Sequence, residues 1–232
     1  LSDIKSWAEW FEKRAEYYDN PLLKMAYYIG GQPVPDDVMA CTIDDVWKKL
    51  RAGASDELLD VGGGVGLFSQ AYTPRIKRAV TTDISFSMIR GGLKINPAGE
   101  YIVCDAALLP FASSTFDRLL CYSVFHYLRD LDHAACVVRE FVRVVKCGGA
   151  ILIGDVPKKV LEQPKAKRST AQGKAVHFPS SLKHDLRQMS YEPEFFVSLC
   201  REMGAGCDIL DQDIKGKITS NCRFDVYVKA DK

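Results

Sequence analysis

The stretch "DVGGGVG", residues 60 to 66, sets one carboxylate and four glycines directly after the apolar pair Leu58 and Leu59. Glycines at a strand-to-helix turn let a ligand lie against the main chain and let the helix start close to the strand. A dinucleotide turn reads Gly-x-Gly-x-x-Gly or Ala, and counted from Gly62 its last position falls on Leu67, which does not fit. The pattern present is acidic-x-Gly-x-Gly-x-Gly, made by Asp60, Gly62, Gly64 and Gly66, with Gly63 as an added glycine. A second acid, Asp83, stands 21 residues after Gly62 (83 − 62) at the end of the next apolar run, where a carboxylate can accept both hydroxyls of a ribose. A third, Asp105, ends the run after that, beside "AALL", where it can accept from an adenine amino group. Three carboxylates at successive strand ends beside a glycine turn describe a pocket for an adenosine with a cationic tail rather than a pyrophosphate.

The elements that must hold these residues alternate. Apolar runs at Glu57 to Val61, Ala79 to Thr82, Glu100 to Cys104, Phe116 to Tyr122 and Ala150 to Gly154 are separated by helical patterns. Those patterns run through Phe68 and Tyr72, from Ser85, and from Leu131 to Val145. This rhythm predicts a doubly wound α/β fold, a mostly parallel sheet covered on both faces. After a helix over Pro193 to Met203 the rhythm breaks. Cys207 to Leu210 and "CRFDVYVKA" have no helix between them, which predicts a hairpin and an antiparallel last strand. The expected organisation is an N-terminal helical cap over residues 1–50 and a sheet domain over 51–232. A long basic insertion over 156–190 follows the fifth strand, at the edge where open α/β sheets bind ligands.

Composition limits the classes of function. A chain of 232 residues, 47% hydrophobic and 26% charged, can bury one substantial core. Its 31 basic and 30 acidic residues give a net charge of +1, which argues against a duplex nucleic acid or an acidic membrane as partner. No apolar run reaches the roughly 18 residues of a membrane span. The eight cysteines are scattered without a C-x-x-C pair, as expected of reduced thiols in a cytoplasmic protein. Neither they nor the four histidines have metal-ligand spacing, so no metal is expected. Oligomeric state is left open, a homodimer included.

From about Asp56 to Lys229 the chain resembles the class I S-adenosylmethionine-dependent methyltransferases. The resemblance rests on "LLDVGGGVG", "TTDISFSMI", "VCDAALLPF", "FDRLLCYSVFHYL", "VVKCGGAILI" and the closing hairpin, in that order and at these spacings. It implies a seven-stranded sheet with a reversed last strand and S-adenosylmethionine as cofactor. It further implies that Asp60 and the turn of Gly62, Gly63, Gly64 and Gly66 lie under the methionine part of the cofactor. Asp83 would hold the ribose, Asp105 with Ala106 would contact the adenine, and Ile84 and Met88 would also belong to the cofactor site. The end of the fourth strand, Cys121 to Ser123, would face cofactor and substrate.

The implied chemistry is an in-line displacement. Amines and thiolates need little beyond alignment and desolvation, whereas an alcohol acceptor needs a base. His126, after the fourth strand, is the first candidate base, with simple packing as the alternative. His177 and His184 in the insertion are further candidates, against a solvated loop. Asp155, after the fifth strand, either faces substrate or caps a turn. In the cap, Tyr17 or Tyr18 is a candidate to close over a sulfonium, and Arg14 to pair with the cofactor carboxylate; the plainer reading is an apolar helix face docked on the sheet. Lys158, Lys159, Lys165, Lys167 and Arg168 suit an anionic acceptor, or a solvated loop. The leading expectation is methyl transfer to a small-molecule acceptor. Oxygen, on a sugar, a phosphorylated compound or a natural-product hydroxyl, ranks ahead of nitrogen and carbon. The alternatives are a methyltransferase acting on RNA or protein and a non-catalytic binding subunit, the latter disfavoured by the intact set of acids and glycines.

Overall fold

Short apolar runs that stop at glycine or aspartate pair here into one sheet, in a computed structural model that describes residues 5–159, 182 and 185–230. Its strands are β3 (Glu57–Val61), β4 (Arg78–Asp83), β5 (Glu100–Val103), β6 (Phe116–Tyr122), β7 (Val145–Pro157), β8 (Gly206–Asp211) and β9 (Arg223–Lys229). They lie in the order β5-β4-β3-β6-β7-β9-β8. The pairs from β5 to β7 are parallel, and β9 runs antiparallel to both β7 and β8. The reversed last strand is the feature expected from the helix-free connection before "CRFDVYVKA". This is the seven-stranded sheet with a reversed last strand that the resemblance implies.

Side chains alternate between two apolar layers, as the pleat requires. Leu59, Leu119, Cys121, Ile151 and Ile153 face one core, with Phe141 of α6 (Leu131–Val144) and Phe196 of α7 (Pro193–Glu202). Leu58, Leu120 and Leu152 face the other, with Val46 and Leu50 of α3 (Asp36–Leu50) and Phe68 and Tyr72 of α4 (Leu67–Tyr72). The fifth strand is longer than its apolar run. Val145 already pairs with Phe116, and Ala150 pairs with Arg118, so the four "KCGG" residues, 146–149, bulge out between two ladder contacts.

The N-terminal segment folds as α1 (Trp7–Tyr17), a single turn α2 (Pro21–Lys24), a two-residue hairpin of β1 (Tyr28–Ile29) and β2 (Gln32–Pro33), and then α3. Asn20 caps α2 by accepting from the amides of Leu22 and Leu23, and Pro21 suits the first helical position. The sequence predicts helices in this cap and neither that turn nor the hairpin. Helix α1 packs on α5 (Phe86–Ile95), next to the glycine turn. Among the described residues no helix is long and apolar enough to cross a membrane, and no group of His, Cys, Asp and Glu could hold a metal ion.

Candidate active site

Between β3 and α4 the chain turns through Gly62 (φ 68°), Gly63, Gly64 (φ 58°) and Gly66 (φ 81°). Gly62 needs the left-handed conformation, and a Cβ there would lie 2.5 Å from Val124 Cγ2. Gly63 is required for room instead: a Cβ would lie 2.5 Å from Asp60 Oδ2. The added glycine thus lets the Asp60 carboxylate lie against the turn.

Asp60 is 1% exposed, and its Oδ2 has no hydrogen-bond partner among the described residues. Burial, with the nearby Asp83 charge, pushes its carboxyl up to about 7 against hydrogen bonds from Ser69. Asp83 ends β4 and ties the turn down: its Oδ2 accepts from the Gly64 amide at 3.0 Å and its Oδ1 from the Ser85 amide at 2.9 Å. Desolvation pushes it up to about 6 in spite of those bonds, and the charge of Glu12 adds to the rise. Two neighbouring desolvated carboxylates, each with its proton affinity raised, form a site short of a positive charge. A cofactor with a sulfonium and an ammonium fits that deficit. Ile84, half exposed, and Leu108, largely exposed, offer apolar surface near the same strand ends.

The other residues expected around the cofactor are spread more widely. Met88 is buried with Val65 and with Ala15 of α1. Asp105 Oδ1 accepts from the Ala107 amide at 2.8 Å and lies 3.7 Å from His133 Nε2, and Ala106 packs against the core. Cys121 points into the α6 layer, whereas the Tyr122 hydroxyl accepts from Lys217 Nζ at 2.7 Å. Arg14 is buried between the rings of Trp10, Tyr18 and Tyr28, and its Nε donates to the Leu23 carbonyl at 2.5 Å. Tyr18, at the C-terminal end of α1, packs edge-on against Tyr17. The cap also reaches the turn directly. Met25 Sδ accepts from the Val65 amide at 3.3 Å and lies against Gly64, while Glu12 accepts from the Ser85 hydroxyl at 2.6 Å and the Ser87 amide at 3.1 Å.

At the ends of β6 and β7 a second group of polar residues faces a cavity of about 1640 Å³. Ser123 (φ 62°) and Asp155 (φ 61°) both hold the left-handed conformation that non-glycine residues avoid, a strain that tends to mark functional sites. The Ser123 hydroxyl donates to Asp155 Oδ2 at 2.7 Å, and Lys217 Nζ donates to Asp155 Oδ1 at 2.7 Å. Burial alone would raise the Asp155 carboxyl, but Lys217 and Arg223 hold it below the usual range. His126 lines the same cavity, 3% exposed. Burial pushes it down to about 3, so it is neutral, and its Nδ1 has no hydrogen-bond partner among the described residues. His177, His184, Lys165, Lys167 and Arg168 lie outside the described residues. Tyr27, Lys217 and Arg223 were missed by sequence reasoning. For Arg223 a signal existed: the first residue of an antiparallel last strand stands at the same rim as the last residues of the parallel strands, here opposite Pro157.

Residues 59–153 match a family described as "Methyltransferase domain". A ubiquinone/menaquinone biosynthesis C-methyltransferase of Bordetella parapertussis is 34% identical over 132 residues, which cover 52% of this chain and 50% of that protein. Chondramide synthase of Chondromyces crocatus is 25% identical over 188 residues, 74% of this chain but 5% of its own length. The chain therefore spans about half the length of the quinone methyltransferase it matches and a small part of the synthase. The fold is shared with a Haemonchus contortus phosphoethanolamine N-methyltransferase solved with phosphoethanolamine and S-adenosylhomocysteine. That match has a TM-score of 0.69 at 14% identity, covering 94% of this chain and 47% of that one. Residues 59–153, which hold the glycine turn and the strand-end acids, thus match a methyltransferase domain, and the chain is similar to the class I S-adenosylmethionine-dependent methyltransferases.

Proposed function

We propose that the protein transfers a methyl group from S-adenosylmethionine to a small-molecule acceptor held in the cavity at the ends of β6 and β7. The observation that carries this reading is the pair Asp60 and Asp83 at the glycine turn, two desolvated carboxylates in need of a cation. When bound, the cofactor supplies a methyl on a sulfonium, which a nucleophile takes by in-line displacement while the carbon–sulfur electron pair stays on sulfur. The chain's part is to bind and orient. Asp83 accepts from the ribose and fixes the turn, Asp60 faces the cationic tail, Ile84, Asp105 and Ala106 form the adenine side, and Met88 packs behind the site. The N-terminal segment from residue 5 to 50 acts as a cap over both ligands, with Arg14 and Tyr18 inside it.

The acceptor atom is oxygen in this reading. His126 is neutral, so it has a lone pair to take a hydroxyl proton and pass it to solvent, but a group held near pKa 3 is too weak a base for a sugar alcohol. A phenolic or enolic hydroxyl, which ionises more readily, suits it better. A second reading, transfer to an electron-rich carbon, is favoured by the 34% identical relative named as a C-methyltransferase. Incubation with methyl-13C-labelled cofactor and a panel of hydroxylated acceptors, with NMR of the product, tests the proposal. An O-methyl signal with one S-adenosylhomocysteine formed per product is the expected result. A C-methyl signal establishes the second reading. Intact S-adenosylhomocysteine binding with no transfer to any acceptor tried in place of water would point to a binding subunit.

A further inference from the structure

The chemistry of the cavity narrows the acceptor further. Its described walls carry three cationic residues, Arg187, Lys217 and Arg223, against two acidic ones, Asp155 and Asp185. Arg187 and Asp185 are exposed at the mouth and offset each other in charge. Inside, Lys217 is already spent: its ammonium donates to Asp155 Oδ1 at 2.7 Å, the Tyr122 hydroxyl at 2.7 Å and Gln212 Oε1 at 3.2 Å. An ammonium has three donors, so none is left for a ligand. Asp155 is likewise neutralised by Lys217 and takes the Ser123 hydroxyl on its other oxygen.

Arg223 is the surplus charge. Its Nη1 donates to the Asp155 carbonyl at 3.3 Å, but its buried Nε has no hydrogen bond among the described residues and lies 3.9 Å from Asp155 Oδ1. An unmatched guanidinium donor in a desolvated wall calls for one anionic oxygen, and a guanidinium edge matches a carboxylate. A phosphate dianion would need a second free cation, which the described interior lacks. The other unsatisfied atom in the same wall is His126 Nδ1. A neutral imidazole has one N–H and one lone pair, so a hydroxyl satisfies it in either tautomer. The same cavity is lined by Trp7, Tyr27, Tyr28 and Tyr127, and the Trp7 and Tyr127 rings lie 4.7 Å apart. Flat rings of this kind favour a planar ligand that stacks on them.

We propose, on the methyl-transfer reading above, that the acceptor is a hydroxylated aromatic carboxylic acid, its carboxylate on Arg223 and its hydroxyl on His126. The two contacts are read separately by ligand pairs. Phenol against hydroxybenzoate measures the carboxylate, and benzoate against hydroxybenzoate measures the hydroxyl. Titration calorimetry of the full chain with 2-, 3- and 4-hydroxybenzoate, benzoate, phenol and glucose 6-phosphate, with and without S-adenosylhomocysteine, provides the test. At least one hydroxybenzoate should bind about tenfold or more tightly than phenol, as expected for one charge-assisted hydrogen bond, and more tightly than glucose 6-phosphate. Arg223→Gln should erase the preference over phenol while leaving phenol and S-adenosylhomocysteine binding unchanged. His126→Phe should erase the preference of hydroxybenzoate over benzoate. Equal binding of phenol and every hydroxybenzoate, or a preference that survives Arg223→Gln, overturns the proposal. Loss of S-adenosylhomocysteine binding alone, with the aromatic acid still bound, overturns the methyl-transfer reading instead.

Discussion

At the scale of single residues, Asp60 and Asp83 make the site's electrostatics testable by pH. The folded Asp60 carboxyl, at about 7, lies above the roughly 3.9 of an exposed aspartate, so the folded state holds a proton that the unfolded chain has released. Its stabilising contribution is complete below about pH 4 and is lost as pH rises through 7. Asp60→Asn stays neutral throughout. The Tm of the variant relative to wild type should therefore climb between pH 4 and 7 and level off above about pH 8, in thermal melts without ligand. A difference that is flat over this window would contradict a desolvated Asp60. Asp83→Asn tests the neighbouring role: it should weaken S-adenosylhomocysteine binding by about 1.5 to 3 kcal/mol, the usual cost of a lost hydrogen bond to a charged group. Unchanged affinity would remove Asp83 from the ribose. These two acids and the glycines were legible because their spacing is local, each one falling at the end of an apolar run. His126 was legible as a position but not as a chemistry, because the burial that lowers its basicity comes from segments far away in sequence.

At the scale of elements, the strand-to-helix turn and the cap can be broken separately. Gly62→Ala forces a Cβ into the left-handed region and toward Val124, and should cost about 2 kcal/mol or more. In a chain of this size that is roughly 4 to 8 °C in Tm. A variant that melts with the wild type would mean that the turn can relax without cost. Glu12→Ala instead removes the carboxylate that joins α1 to the first turn of α5. Amide exchange over Trp7–Tyr17 should speed up while β3, β6 and β7 stay protected. Equal acceleration in the sheet would show that the cap is not separately hinged. The strands and α3 to α7 followed from periodicity, since an alternating or buried run is a property of neighbouring residues. The β1–β2 hairpin, the bulge at the start of β7 and the cavity wall were not legible. Lys217 and Arg223 reach Asp155 because β9 is paired beside β7, and Tyr27 joins the same cavity from the cap, contacts between distant parts of the chain.

For the whole molecule, the sheet, the turn and the cap must act as one ligand-binding unit. Met25 and Glu12 from the cap and Gly64 and Asp83 from the sheet lie around the same turn, so filling the site should stabilise the fold as a whole. At a hundredfold excess over its dissociation constant, S-adenosylhomocysteine should add about 2.7 kcal/mol, or roughly 5 to 11 °C in Tm. The near balance of charge predicts no steep salt-dependent binding of RNA. The most direct measurement is calorimetric titration of the full chain with S-adenosylmethionine and S-adenosylhomocysteine, with NADH as control. Micromolar binding of the first two at one site per chain, and none of NADH, is the predicted result. Binding of NADH, or of none of the three, would contradict the assignment of the glycine turn and its carboxylates to this cofactor.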